Sequence, residues 1–287
     1  MSKPHILIQL DTDSQPSVFD GVVAVDSGVA HLFRHSGITA ESVRDRVHGA
    51  VFTRGVDDLK STALFIGGSD VALGERVLTA VKKSFFGPMR VSVMLDSNGS
   101  NTTAAAAVLA ARKHLELAET TALVLGGTGP VGRRAALLLA REGAKVRVGS
   151  RSAEKAEEVC REISEVVPGA NLVGYAAGTP EQTAVALVSC QLVIAAGAAG
   201  VELLSTQALF NTPGVRVAID LNAVPPAGIG GVEPLDKAAE RDGIICYGPI
   251  GVGGTKMKIH KAAIRRLFET NDAVLDAEEL YELGKSL

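Results

Sequence analysis

The segment Gly126-Gly127-Thr128-Gly129-Pro130-Val131-Gly132 stands between an apolar run at 121–125 and an amphipathic stretch at 133–141. Gly127, Gly129 and Gly132 fit Gly-x-Gly-x-x-Gly. In that pattern the first glycine permits a tight turn, the second lets backbone approach a pyrophosphate, and the third lets a helix pack closely on a strand. Free N–H groups at the helix start would then face phosphate oxygens. A glycine-rich turn used only for packing is the alternative, and a position between a strand and a helix favours the nucleotide. Thr128, Pro130 and Val131 complete the loop.

The next predicted strand selects the nucleotide. An NAD site carries Asp or Glu about 20 residues past the glycines, whereas an NADP site supplies Arg for the 2′-phosphate. Here 146–148 run into Gly149-Ser150-Arg151-Ser152, with no acid until Glu154. Ser150 offers a hydroxyl and Arg151 a guanidinium fork, so the pattern predicts NADP. A solvated arginine after a strand is the plainer reading of Arg151. Ala196, Gly197 and Asn222 follow further predicted strands at 192–194 and 217–220, at the ends where open α/β sheets bind ligands. They are expected beside the nicotinamide, with ordinary loops as the alternative.

Two clusters offer polar chemistry. Lys256 and His260 lie four residues apart and share a helix face, in a segment that also carries Lys258, Lys261, Arg265 and Arg266 and meets no acid before Glu269. Spacing alone favours a solvated basic face; in the sharper reading Lys256 and His260 turn toward the cofactor. Asp11, Asp13, Ser17 and Asp20 crowd the stretch after the first predicted strand, where turn and capping roles compete with ligand binding. No His joins these carboxylates in sequence, and no metal site is expected. Cys160, Cys190 and Cys246 are odd in number and widely spaced, against a disulfide framework or a zinc site.

These groups need a scaffold, and 287 residues allow about two domains at about 150 residues each. With 46% hydrophobic and 21% charged residues the chain can build a packed core. The net charge of -3 argues against nucleic-acid binding. Met1-Ser2-Lys3-Pro4-His5 runs straight into the first predicted strand, leaving no room for a signal-peptide core. No apolar run approaches a membrane span, so a cytoplasmic protein without membrane partners is expected, associating with copies of itself on base rates.

From about residue 119, Val/Ile-rich runs alternate with amphipathic stretches, predicting parallel strands at 122–125, 146–149, 172–175, 192–196, 215–221 and 244–247. The first hundred residues predict strands at 6–10, 22–25, 50–53, 62–66 and 91–95, and a helix at 74–83. Asp96-Ser97-Asn98-Gly99-Ser100-Asn101 are turn and capping types leading into an alanine-rich helix near Thr102. A terminal helix is predicted within 270–287. The fold class is α/β with two domains.

The chain resembles the NADP-dependent methylene-tetrahydromethanopterin dehydrogenases of methylotrophic and related bacteria, some of which also accept methylene-tetrahydrofolate. The resemblance runs through 9–20, 61–70, 85–107, 126–132, 222–231 and 248–268. Its most specific stretches are Asp96-Ser97-Asn98-Gly99-Ser100-Asn101-Thr102-Thr103 and Pro225-Pro226-Ala227-Gly228-Ile229-Gly230-Gly231. Where that family's second strand ends in Cys-Gly-Arg, this chain has Gly149-Ser150-Arg151 and keeps the arginine.

The resemblance implies an N-terminal α/β pterin domain over 1–110, completed by 269–287, and a Rossmann-type, doubly wound NADP domain over 111–268, with a cleft between them. It implies hydride transfer from a tetrahydropterin to NADP in one-carbon metabolism, with Lys256, His260 and Asp20 in the catalytic group. Asp13, Ser17, Asp96, Asn98 and Asn101 are expected on the substrate side. Oxidising a methylene bridge between two nitrogens leaves a resonance-stabilised methenyl cation, so alignment of the donor carbon matters and no general base is required. Lys256 and His260 are thus expected to position the substrate carbonyl or tail, with His260 neutral. Pterin stacking would use Phe19 or aliphatic surfaces. The competing readings are a methylene-tetrahydrofolate dehydrogenase and a non-catalytic NADP-binding sensor, which would not need the first domain's polar strand-end loops.

Overall fold

The computed structural model describes residues 3–287; the expectation that no leader precedes the first strand rests partly on Met1 and Ser2, which lie outside the described residues. In chain order the elements of the first half are β1 (Ile6–Asp11), α1 (Val18–Asp26), β2 (His31–His35), α2 (Val43–Val51), β3 (Thr62–Gly67), α3 (Val71–Ser84), β4 (Ser92–Leu95) and α4 (Ser100–Arg112). There follow β5 (Thr121–Leu125), α5 (Pro130–Arg141), β6 (Lys145–Ser150), α6 (Ala153–Val166), β7 (Leu172–Ala176), α7 (Pro180–Leu187), β8 (Leu192–Ala195), α8 (Thr206–Asn211) and β9 (Val217–Asp220). The last elements are β10 (Lys237–Arg241), β11 (Ile244–Tyr247), α9 (Pro249–Arg266), β12 (Val274–Leu275) and α10 (Ala277–Lys285).

The chain divides into two compact units: one runs to Thr102 and is joined by Met257–Leu287, the other is Thr103–Lys256. The chain passes from one to the other inside α4 and returns inside α9, whereas the expected boundaries lie at 110 and 268. In the first unit five parallel strands stand in the order β12-β4-β3-β1-β2. Strand side chains alternate between faces. Ile8 and Leu10 of β1, Leu64 and Ile66 of β3, and Val93 and Leu95 of β4 join Val43 and Val47 of α2 and Val77 and Val81 of α3 in one core. Gln9 and Asp11 point from β1 to the opposite face.

The second unit has seven strands in the order β10-β11-β9-β8-β5-β6-β7, parallel except for β10. Leu123 and Leu125 of β5, Val193 and Ala195 of β8, and Ala218 of β9 are buried in one core with Leu187 of α7 and Leu209 of α8. Parallel strands covered by helices read as continuous apolar runs, and these are the strands that the sequence pattern identifies.

Two strand expectations fail. Residues 22–25 belong to α1, where Val23 and Ala24 are buried while Val22 and Val25 are exposed. Ser17 caps that helix by accepting from the Asp20 N–H. Residues 50–51 end α2, whose buried Val43, Val47, Ala50 and Val51 follow helical spacing. The three strands that sequence reasoning missed, β2, β10 and the two-residue β12, are edge strands. β2 is exposed along nearly its whole length and β10 along much of its own, and polar residues at an edge carry no apolar signal. The tail forms a two-residue strand beside β4 before α10. Among the described residues no helix is long and apolar enough to cross a membrane.

All three cysteines are free and buried. Burial pushes the Cys160 and Cys246 thiols up to about 11 and raises Cys190 as well. Thiolate is the reactive form, so the native protein at about pH 8 is expected to take up no iodoacetamide at these sites, and to be alkylated at all three once unfolded. Mass spectrometry of the two samples reads the difference directly.

Candidate functional site

In the second unit the strand order reverses between β5 and β8, and open α/β sheets bind ligands outside the carboxyl ends of strands at such a point. Gly126 leaves β5 with φ 70°, a left-handed conformation that glycine adopts without steric cost. A Cβ on it would stand 2.6 Å from the Gly197 Cα, so the loops after β5 and β8 meet backbone against backbone. Gly127 donates its N–H to the Gly149 carbonyl at 2.9 Å, and a Cβ there would lie 2.7 Å from the Val148 side chain. A Cβ on Gly132 would collide with the Gly126 carbonyl oxygen.

Gly129 is the N-cap of α5 and has no side chain to satisfy the first turn, and Pro130 follows as a helix starter. The first-turn amides of Val131 and Gly132 have no intrahelical partner. With the helix dipole behind them they suit an anion.

Beside this turn, Thr128 Oγ1 lies 3.3 Å from Ser150 Oγ, which also accepts from the Ser152 N–H at 3.4 Å. Arg151 is exposed at the tip of β6. The Glu154 carboxylate accepts from Ser152 Oγ at 2.7 Å, and this bond together with its own backbone N–H holds its carboxyl below the usual range. Two hydroxyls and an exposed guanidinium thus stand at the end of β6 beside the glycine turn.

Ala196 donates its N–H to Leu125 at 2.9 Å, and a Cβ on Gly197 would lie 2.5 Å from Leu203. Asn222 is occupied in building its loop: its amide nitrogen donates to the Pro226 carbonyl and its oxygen accepts from the Val224 N–H, both at 3.1 Å. The acid that organises this loop is Asp220, which sequence reasoning passed over. It is buried and accepts from the N–H groups of Asn222, Gly228 and Ile229 at 2.9, 2.8 and 3.2 Å. Burial pushes its carboxyl up, against the pull of those three donors. An aspartate closing an otherwise apolar strand was the available signal.

In the first unit the order reverses between β1 and β3. Asp11, fully buried at the end of β1, accepts from Gln9 Nε2 at 3.1 Å and from the N–H groups of Asp13 and Ser17 at 3.0 Å each. Arg34 of β2 holds the same loop, donating to Gln9 Oε1 at 3.0 Å and to the carbonyls of Pro16 and Ser17 at 2.8 and 2.7 Å. Asp13 accepts from the Ser69 N–H and hydroxyl at 3.0 and 2.8 Å, tying the loop after β1 to the loop after β3. Asp20 lies in the first turn of α1. A Cβ on Gly67 would stand 3.1 Å from Asp11 Oδ2, 3.2 Å from the Phe65 ring and 3.3 Å from Asp20 Oδ2, so two carboxylates and an aromatic edge converge on this glycine.

His260 of α9 is buried, stacked over Phe65 with ring centroids 5.5 Å apart and planes at 16°, and Phe19 approaches it at 6.3 Å. Its Nδ1 lies 3.7 Å from Asp96 Oδ2. Lys256, half-buried, precedes it by one turn. Of the three expected substrate contacts after β4, only Asn98 is exposed, with φ 54°. Asp96 and Asn101 are fully buried. Asn101 Nδ2 donates to the Leu95 carbonyl at 2.6 Å and to Asp276 Oδ1 at 2.8 Å, fastening the end of β4 to the cap of α10. Their polar groups are spent inside the fold because a buried donor or acceptor without a partner is costly. Among the described residues no group of three or more His, Cys, Asp and Glu is arranged to hold a metal.

Comparison with known proteins bears on both units. A family described as "Methylene-tetrahydromethanopterin dehydrogenase, N-terminal" matches residues 18–98. The bifunctional protein MdtA of Methylorubrum extorquens is 45% identical over 289 residues, covering 100% of each chain. An NAD(P)-dependent methylenetetrahydromethanopterin dehydrogenase of the same organism is 32% identical over 290 residues, covering 97% of each. Among solved structures, a quinate dehydrogenase from Corynebacterium glutamicum in complex with NAD shares the fold, with TM-score 0.55, 13% identity and 99% of each chain covered.

Two substitutions test the geometry. Gly132→Ala must displace the turn, and is expected to weaken NADPH binding at least about tenfold, or about 1.4 kcal/mol, by isothermal titration calorimetry; unchanged affinity would detach the turn from binding. Asn101→Ala removes a donor from the Leu95 carbonyl and from Asp276, which keeps its α10 cap bonds, and is expected to cost about 1–3 kcal/mol, read as a lower Tm with the same nucleotide affinity.

Proposed function

The chain belongs to the NAD(P)-dependent methylenetetrahydromethanopterin dehydrogenases, and we propose that it oxidises methylene-tetrahydromethanopterin with NADP in one-carbon metabolism. The observation that carries the nucleotide half is the uncapped start of α5, closed over by a turn in which side chains are sterically excluded. Its amides hold the pyrophosphate, while Thr128, Ser150 and Arg151 receive the 2′-phosphate. Ala196 and Gly197 supply small residues at the end of β8 for the nicotinamide side. The bound nicotinamide supplies the chemistry as hydride acceptor.

The substrate half rests on the carboxyl ends of β1 and β3. Asp20 takes ring N–H groups of the pterin and favours the cation that develops as the hydride leaves. Phe19, about half exposed at 50%, offers the ring an apolar surface. Lys256 fixes the substrate carbonyl or tail, His260 supports this wall from its buried place over Phe65, and no side chain has to remove a proton. Asp13 and Ser17 act by holding the loop that presents Asp20, and Asn98 remains available at the end of β4. The protein works in the cytoplasm as an assembly of identical subunits.

The assay follows nicotinamide absorbance with methylene-tetrahydromethanopterin and methylene-tetrahydrofolate in parallel. Reduction of NADP with the former, at the higher kcat/KM, is expected. Turnover with the folate alone would reassign the substrate, and NADP binding without turnover on either would make the protein a nucleotide sensor. Arg151→Ala is expected to raise the Kd for NADP by about 10- to 100-fold, roughly 1.4–2.8 kcal/mol, while leaving NAD unaffected. An unchanged preference would remove the guanidinium from the 2′-phosphate site.

A further inference from the structure

Asp220 is a buried carboxylate that the proposed reaction does not use. It closes β9, is 1% exposed, and stands in register with Ala195, the last residue of β8. Its oxygens accept from three backbone amides: Oδ1 from Asn222 at 2.9 Å, and Oδ2 from Gly228 and Ile229 at 2.8 and 3.2 Å. All three donors are neutral. Among the described residues no Lys, Arg or His pairs with it, and burial pushes its carboxyl up against the pull of the amides. A buried anion is costly unless a charge of opposite sign meets it, and the protein supplies none.

The place of Asp220 in the sheet says where such a charge arrives. The glycine turn follows β5 and Arg151 follows β6. With the pyrophosphate on the turn and the 2′-phosphate at Arg151, the adenosine half of the nucleotide lies over β6. The nicotinamide half then lies on the other side of the turn, over β8 and β9, since the strands run in the order β9-β8-β5-β6. The loops after β8 and β9 are tied together around Asp220. A Cβ on Gly228 would stand 2.7 Å from Asp220 Oδ1 and 3.2 Å from the Ala195 side chain, so the carboxylate is close to the end of β8. Gly228, whose N–H binds Asp220, offers its carbonyl to the amides of Leu203 and Leu204 at 2.8 and 3.2 Å. Leu203 in turn fills the space beside Gly197. Three contacts thus join the carboxylate to the glycine assigned to the nicotinamide side.

We propose that Asp220 sets specificity for the redox state of the nucleotide: its negative charge favours the oxidised nicotinamide, a cation, over the neutral ring of NADPH. This rests on the reading that the glycine turn and Arg151 hold the phosphates. Asp220 needs no contact with the ring, because a charge in a buried, poorly screened place acts over several ångströms. The charge that Asp220 attracts is gone once hydride has been accepted, so Asp220 holds NADPH less firmly than NADP. A neutral Asn or Ser can gather loop amides in the same way; only the aspartate adds this discrimination.

The test measures binding, not turnover. Isothermal titration calorimetry on the full chain gives the Kd for NADP, for NADPH and for adenosine 2′,5′-bisphosphate, which carries the 2′-phosphate and no nicotinamide. It is applied to the wild type, Asp220→Asn and Asp220→Ser, with folding checked by near-ultraviolet circular dichroism. Both variants keep an oxygen for the loop amides and remove the charge. The ratio of the Kd for NADP to that for NADPH is expected to rise about tenfold, or about 1.4 kcal/mol, while the bisphosphate keeps its affinity within about twofold. An unchanged ratio, whether both affinities fall or neither does, makes Asp220 a structural residue only and overturns the inference. The wild type gives a reading that needs no variant: it is expected to bind NADP at least as tightly as NADPH, and a preference for NADPH of about tenfold or more overturns the inference as well. Failure of the wild type to bind either form would instead defeat the nucleotide reading on which it rests.

Discussion

A strand that ends in a loop leaves the loop's amides without ladder partners, and a buried amide must find an acceptor. This protein meets that constraint three times with an aspartate that is itself buried: Asp11 at the end of β1, Asp96 immediately after β4, and Asp220 at the end of β9. Each collects at least two backbone N–H groups from the residues that follow. Taking a carboxylate out of water costs several kcal/mol, and only charge-assisted hydrogen bonds of this kind offset it. For Asp220 the upward direction of the shift shows that burial outweighs the donors. The carboxylate is thus held in an environment that does not favour its charge, because the loop cannot close without it.

The same device explains why the residues that look most functional in the sequence divide into two kinds. Asp13, Ser17 and Asn101 are polar, clustered and close to strand ends, yet their groups hold Ser69, cap α1 and bind Asp276. A turn residue and a ligand-binding residue have the same composition, and only the partner tells them apart. Asn222 is a further case, its amide committed at both ends to residues 224 and 226. Side chains that do not serve the loops in this way, such as the exposed Arg151 and Asn98, stand at the tips of β6 and the β4 loop.

How much was legible follows from what each element must bury. The parallel strands of the second unit lie between helices, so they are nearly continuous in apolar residues and their positions are plain in the sequence. The glycine turn was legible for a complementary reason: its residue types are dictated by contacts of backbone with backbone, at Gly126 against Gly197 and at Gly132 against Gly126. The run Val22-Val23-Ala24-Val25 reads as a strand because valine is abundant in strands, but the Ser17 cap and the surface-exposed valines make it a helix. β2 and β10 were missed because their short apolar pairs, Leu32-Phe33 and Ala238-Ala239, are enclosed by His31 and Arg34 and by Lys237 and Glu240. Arg34, which ties Gln9 to the loop of Ser17, is separated from both in sequence and has no local pattern.

The two units thus build the loops at their strand ends by opposite means. After β5 the chain removes side chains and leaves backbone amides whose directions are fixed by the helix. After β1 and β3 it adds them, and two carboxylates and the Phe65 ring converge on Gly67. A phosphate is the same in every nucleotide and can be bound by backbone common to many dehydrogenases, whereas a pterin ring has its own pattern of donors and acceptors and requires particular side chains. The cost of the second strategy is a larger supporting cast: Arg34 binds Gln9, Gln9 binds Asp11, Asp11 takes the Ser17 amide and Ser69 binds Asp13, all to keep a single loop in place. That is why the first unit carries so many polar residues that are internal to the fold, and why its substrate-facing residues cannot be picked out by type alone.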